Sequence, residues 1–184
     1  MTLSQLTKLL RADEKVLWSG KPVKVPFVLP HSLIMILFSL IFMGVSILVA
    51  SLAKEGLLPP VPWFVPVIFF LIGLVPLGDP IYLLMACKNT EYMITDQRVI
   101  TQTGAIGLDT RFIDFDKIQE VYVEVGFIDK MLGTGSVHAV TAGYVYVGRG
   151  GASMLPTLAA LKEPYAVQKL LQEAIEKART ARTR

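Results

Sequence analysis

The chain has 184 residues, 53% hydrophobic and 18% charged, which is too apolar for an ordinary water-soluble domain and too charged to lie wholly in lipid. Once long apolar segments are set aside there is room for one modest globular domain, so a large multidomain enzyme is excluded. The single cysteine, Cys87, rules out an intramolecular disulfide framework, and two histidines, His31 and His138, leave little material for a structural zinc site.

Residues 1–31 carry Lys8, Arg11, Lys15, Lys21 and Lys24 against Asp13 and Glu14, and this basic stretch is expected as a cytoplasmic N-terminal segment. From Ser32 to Ala53 the chain runs 22 residues without a charge, about 30 Å of helix, enough to cross a bilayer core. A cleaved signal peptide fits less well, because its apolar core would be only about 7 to 15 residues long. A second apolar region, broken by Pro66, Pro76 and Pro80, predicts a kinked span over residues 63–85. The short connection, with Pro59, Pro60 and Pro62, makes the two spans an antiparallel hairpin over residues 32–87.

Five cations precede the first span, Lys54 alone lies in the turn, and Lys88 opens a tail with many more. The positive-inside rule therefore predicts a two-span cell-membrane protein with both termini cytoplasmic. Trp18 and Trp63 are interfacial anchors on this reading, Trp18 equally a residue packed on the tail. Asp79 is the one ionisable residue inside an apolar run. It is expected either to cap the helix after Pro80 or to make an intramembrane polar contact with another helix.

Residues 88–184 change to short alternating runs separated by glycine-rich turns, the pattern of a small β-domain. Strands are expected at 91–95, 98–103, 110–115, 117–125, 136–141, 144–147 and 153–155, with a tight hairpin at Asp96-Gln97. Val167, Leu170, Leu171, Ala174, Ile175 and Ala178 then recur with helical spacing, an amphipathic helix whose apolar stripe should cover the sheet. Pro164 suits its first turn, and Lys177, Arg179 and Arg182 its last. Val121, Val123, Leu170 and Ile175 are expected in the interior.

Tyr92-Met93-Ile94-Thr95-Asp96-Gln97-Arg98-Val99-Ile100, Asp116-Lys117-Ile118-Gln119-Glu120-Val121 and Leu132-Gly133-Thr134-Gly135-Ser136-Val137 resemble three recurrent signatures of the second bacterial pleckstrin-homology (PH) family. Glu14-Lys15-Val16-Leu17-Trp18-Ser19-Gly20-Lys21-Pro22 is similar to the segment that precedes two membrane spans in that family. The resemblance implies an α+β chain: a transmembrane hairpin, then a PH-like barrel or sandwich of seven strands closed by the C-terminal helix. The signatures report fold rather than chemistry. Gly133 and Gly135 lack the Lys-Ser or Lys-Thr that would complete a phosphate loop.

Residues 88–184 hold twelve cations against eleven acids, no basis for a nucleic-acid groove. The first hairpin sets Arg98 beside Asp96 and Glu91, which disfavours a polyanionic headgroup, although Lys21, Lys24 and Lys88 are candidate contacts for anionic lipid. His138 has no nucleophile motif beside it, and Asp109, Asp114 and Asp116 lack calcium-loop spacing. The expected function is therefore non-catalytic, without cofactor or metal: a protein-interaction or self-assembly module at the cytoplasmic face, binding another membrane protein or its own copies. An accessory subunit of a larger membrane complex and an anionic-lipid sensor are the alternatives. Tyr144, Tyr146 and Arg149 are the candidate protein interface, with the tyrosine pair equally readable as a buried strand face.

Overall fold

The structure, a computed structural model, describes residues 5–59, 61–141 and 157–182. The chain divides into two compact units, Val28–Leu84 and Met1–Phe27 with Met85–Arg184.

The apolar unit takes in all but the first turn of α1 (Lys24–Lys54), then α2 (Phe64–Leu74), a 3-10 turn over Val75–Gly78 and the first half of α3 (Asp79–Asn89). Two helical stretches, Lys24–Lys54 and Phe64–Asn89, are long and apolar enough to cross a membrane. The first starts upstream of the expected Ser32, and the second is interrupted where the prolines predict. Pro66 and Pro80 fall in the first turns of α2 and α3, where a missing N–H is harmless, whereas Pro76 sits in the 3-10 turn.

Three serines spaced by seven, Ser32, Ser39 and Ser46, form a buried line on α1. Ser39 Oγ donates to the carbonyl of Gly73 and Ser46 Oγ to that of Pro66 at 2.7 Å. Pro76 has no N–H to return to the carbonyls of the preceding turn, one of which is Gly73's, so Ser39 satisfies a backbone group that lacks that partner. A Cβ built on Gly73 would lie 2.9 Å from Met43 Cγ and 3.2 Å from Phe42 Cβ, so the two helices approach closely only because residue 73 is glycine.

The other unit is two antiparallel sheets. The first has the order β1 (Val16–Gly20), β2 (Glu91–Thr95), β3 (Arg98–Thr103), β4 (Asp109–Asp114). The second has the order β5 (Ile118–Glu124), β6 (Thr134–Thr141), β7 (Thr157–Lys162). A 3-10 turn, Phe115–Lys117, links the sheets, α4 (Phe127–Leu132) joins β5 to β6, and α5 (Pro164–Arg182) follows β7. Mixed helix and sheet, with seven strands among the described residues and a closing helix, is the PH-like architecture that the sequence resemblance implies.

Two strands differ from expectation. Val16–Gly20 lies in the supposed N-terminal segment yet pairs with β2, Gly20 opposite Tyr92 and Val16 opposite Thr95. It is an edge strand, half exposed and bulged between Val16 and Trp18, and so lacks the clean alternation that marks a strand. The strands expected at 144–147 and 153–155 lie outside the described residues, while Thr157–Lys162 is the other strand not expected. Its sequence, TLAALK, has helical composition, and pairing with β6 overrides it.

One core fills the space between the sheets and α5: Tyr92, Ile94, Val99, Ile113, Phe115, Ile118, Val137, Ala139, Leu158 and Leu161 meet Val167, Leu171, Ala174 and Ile175. Val121, Val123 and Leu170, expected as interior, are partly buried at its margin, and so is Trp18. Within the expected helix stripe, Leu171 is fully buried and Leu170 lies at the margin.

Candidate functional site

The antiparallel registers sort the sheet unit into two ends. At one, the chain passes from β1 to α1 through Lys21–Val23 and returns from α3 to β2 through Thr90. The links are tied down: Val23 N–H donates to Ala160 O at 2.8 Å, Asn89 Nδ2 to Ala105 O at 3.1 Å, and Thr90 Oγ1 to Ala86 O at 2.7 Å. The three cations singled out in the sequence, Lys21, Lys24 and Lys88, all lie beside these links and are exposed. Lys21 Nζ sits 2.6 Å from Glu91 Oε1, which neutralises much of its charge.

The opposite end is organised by Glu14. Arg98 Nε and Nη2 each donate to its carboxylate at 2.8 Å, Thr95 Oγ1 donates at 2.8 Å, and the Arg11 backbone N–H at 3.0 Å. Arg98 also donates to Leu9 O and lies 4.7 Å over the Phe112 ring. Burial alone would raise the Glu14 pKa, but Arg98, the Arg11 N–H and Thr95 outweigh it and hold it at about 2. Asp96 and Lys15 exchange a further pair of hydrogen bonds. Thr95, Asp96 and Arg98 of the first signature are thus the receptor for the segment before β1.

The other two signatures also serve the fold. Phe115 N–H donates to Gln97 O and Arg179 to Ile118 O, closing the corner at Asp116-Lys117-Ile118. Gly133 ends α4 in the left-handed region at φ 66°. A Cβ on Gly135 would lie 2.9 Å from Pro164 Cγ, so glycine there admits the start of α5.

A cleft of about 300 Å³ near Glu14 is lined by Arg11, Asp96, Gln97, Asp114, Asp116 and Arg179 among others. Both carboxylates and guanidiniums line it, so neither an anion nor a cation meets a field of one sign. Asp109 pairs with Arg111 and Asp114 with Lys117. Among the described residues no group of three His, Cys, Asp or Glu could hold a metal.

His138 is buried on the sheet face away from Val137 and Ala139. It stacks on Tyr122 at 4.8 Å, its Nδ1 lies 3.1 Å from Thr157 Oγ1, and its Nε2 lies 3.4 Å from Glu124. Burial lowers its pKa, and Glu124 partly opposes that. No cysteine or serine nucleophile is among these neighbours.

In the apolar unit, Asp79 turns its carboxylate onto α1 rather than onto the start of α3: Ser32 Oγ donates to it at 3.1 Å and His31 Nε2 lies 3.4 Å away. Tyr144, Tyr146 and Arg149 lie outside the described residues. Glu14, the centre of the distal network, escaped the sequence reading although the Thr-Asp-X-Arg turn signalled a fixed partner. The serine repeat on α1 was also legible and unread.

A family model described as bacterial PH domain matches residues 25–175. Among solved structures, the chain is similar to a DUF1696 family protein with a pleckstrin-homology domain from Shewanella loihica PV-4, at 12% identity and a TM-score of 0.33, over 47% of this chain and 70% of that one. No curated protein matches the chain.

Proposed function

The chain belongs to the bacterial PH domain family, and on that premise we propose that it is a non-catalytic membrane protein. Its apolar hairpin spans the cell membrane twice and holds the PH-like domain at the cytoplasmic face, as a protein-interaction or self-assembly module. The observation that carries this reading is the pairing of β1 with β2. These strands flank the two apolar helices in sequence, so a chain that crosses the bilayer between them must cross an even number of times, and the basic residues before α1 favour the cytoplasmic side. The fold signatures are absorbed by hydrogen bonds and turns, which leaves the domain's surface, rather than a catalytic cluster, as its working part.

The partner is another membrane protein or a second copy, with Tyr144, Tyr146 and Arg149 as the proposed contact. The outward-facing side chains of α1 and α2, such as Leu37, Ile47 and Leu71, favour an accessory-subunit role as the second reading, with the hairpin as contact. Crosslinking of the full chain in native membranes, followed by purification in mild detergent, tests both. Loss of a crosslinked species on replacing both tyrosines with serine supports the first, retention with loss on hairpin substitutions supports the second, and a chain that crosslinks to nothing sinks both. The topology is tested by single cysteines at Glu55 and Glu173 in a Cys87→Ala background, which must label from opposite sides of the membrane.

A further inference from the structure

The registers place three separate surface elements at the end of the sheet domain where the chain enters and leaves the apolar helices. Gly20 opposite Tyr92, Glu91 opposite Gln102 and Thr103 opposite Asp109 bring the β3–β4 loop, residues 104–108, beside both links. In the second sheet, Glu124 opposite Ser136 and Thr134 opposite Lys162 bring α4 and the corner before α5 to one end. The Val23–Ala160 hydrogen bond joins that end to the start of α1.

Among the described residues of this unit, every large apolar side chain more than half exposed lies at this end: Val25, Ile106, Leu108, Phe127, Met131 and Tyr165, from 51% exposed at Leu108 to 91% at Ile106. Among the described residues, the opposite end, with the Asp96-Gln97 turn, the Phe115–Lys117 link and the C-terminal end of α5, has none. Single exposed apolar residues are ordinary, but their segregation to one end marks a contact surface. Exposed cations accompany them: Lys24, Lys88, Lys130 and Lys162. The acids there are mostly engaged, Glu91 by Lys21, Asp109 by Arg111, and Asp129 by Thr134 and the Gly126 N–H.

We propose that this end of the domain is seated in the lipid interface, with Ile106 and Leu108 of the β3–β4 loop, Phe127 and Met131 of α4, and Tyr165 inserted among the headgroups of the bilayer that the two helices cross. The inference rests on the membrane reading above and adds to it a lipid-embedded surface on the sheet domain itself. The apolar tips share this end with the two links, and the links are only three residues and one residue long, so once the helices are inserted the chain has little slack between this end and the headgroups. Apolar tips seat about 5 to 10 Å into the headgroup region while neighbouring lysines snorkel toward anionic phosphate. No headgroup pocket is needed.

The test uses the full chain in a Cys87→Ala background, with single cysteines introduced as Ile106→Cys, Met131→Cys, Leu37→Cys in α1 and Lys117→Cys at the far end. Each is coupled to an environment-sensitive fluorophore and reconstituted in phosphatidylcholine–phosphatidylglycerol vesicles containing lipid spin-labelled at a shallow or a deep position. Labels at 106 and 131 should be quenched several-fold more by the shallow probe than the label at 117, and the label at 37 most by the deep probe. If 106 and 131 match 117 while 37 is quenched, the lipid-embedded surface is wrong and the membrane reading stands. An unquenched label at 37 overturns the membrane reading and the inference with it. Protection of 106 and 131 from aqueous iodide without lipid quenching assigns the surface to a second copy or another protein, and also overturns the proposal.

Discussion

Glu14 and Arg98, separated by 84 positions and by both apolar helices, meet through two hydrogen bonds of 2.8 Å around a carboxylate with no exposed surface. The pair fastens the segment before β1 to the β2–β3 hairpin, and Thr95 and the Arg11 N–H complete its shell. Arg98→Ala would leave a buried, uncompensated carboxylate and should cost about 3 to 5 kcal/mol.

The same pair sets an acid limit. A carboxyl group held at about 2 in the fold and near 4.5 when unfolded contributes stability that is complete above the unfolded value and is lost as pH falls through the folded one, at most about 3 kcal/mol. Thermal unfolding of the full chain in detergent should therefore decline between those two values. Glu14→Gln should be less stable at neutral pH and should lack that part of the decline; an unchanged acid profile would contradict the assigned carboxylate.

In the apolar hairpin, Ser39 serves the Gly73 carbonyl in the turn that Pro76 disrupts. Ser39→Ala should cost about 0.6 kcal/mol and at most about 1.7, as side-chain hydrogen bonds between apolar helices do. Pro76→Ala restores a backbone N–H, so Ser39→Ala in that background should cost less, and a double-mutant cycle by denaturant titration in micelles measures the difference. Purely additive effects would show that the serine and the proline are not coupled.

Much of this architecture was legible because its signals are local. The apolar runs, the Asp96-Gln97 hairpin and the period of α5 each depend on neighbours in sequence, and each stands in the structure. The strand at Val16–Gly20 depends on a partner across the hairpin, and TLAALK becomes a strand only because Thr134–Thr141 lies beside it. Glu14 looked like one acid in a basic segment, since nothing within that segment reveals Arg98. Lys21, Lys24 and Lys88 were visible as charges, but the fold was needed to show that they share an end with Ile106 and Met131.

The stripe on α5 shows how far periodicity alone reaches. Leu170 and Leu171 both fit a helical repeat, and packing separates them: Leu171 is fully buried in the core, while Leu170 lies partly exposed at its edge. Leu171→Ala should cost about 2 to 5 kcal/mol through lost contacts and a residual cavity, and Leu170→Ala distinctly less. Limited proteolysis of the two variants in parallel gives the order, and equal sensitivity would place the centre of the stripe between them.

His138 provides a second pH dependence that begins nearer neutrality than that of Glu14. Burial holds its pKa below the ordinary 6.5, and Glu124 only partly offsets the effect, so the folded ring is kept neutral while the unfolded chain binds a proton more readily. The stability this contributes is complete above pH 6.5 and is lost as pH falls below that value toward the folded pKa. His138→Gln should flatten the dependence of the unfolding temperature between about pH 8 and pH 5. Glu124→Gln should steepen it, because removing the carboxylate makes protonation of the folded ring harder still. A shallower slope in Glu124→Gln would mean that the ring is already charged in the fold and paired with Glu124, the reverse of the assignment made from its burial.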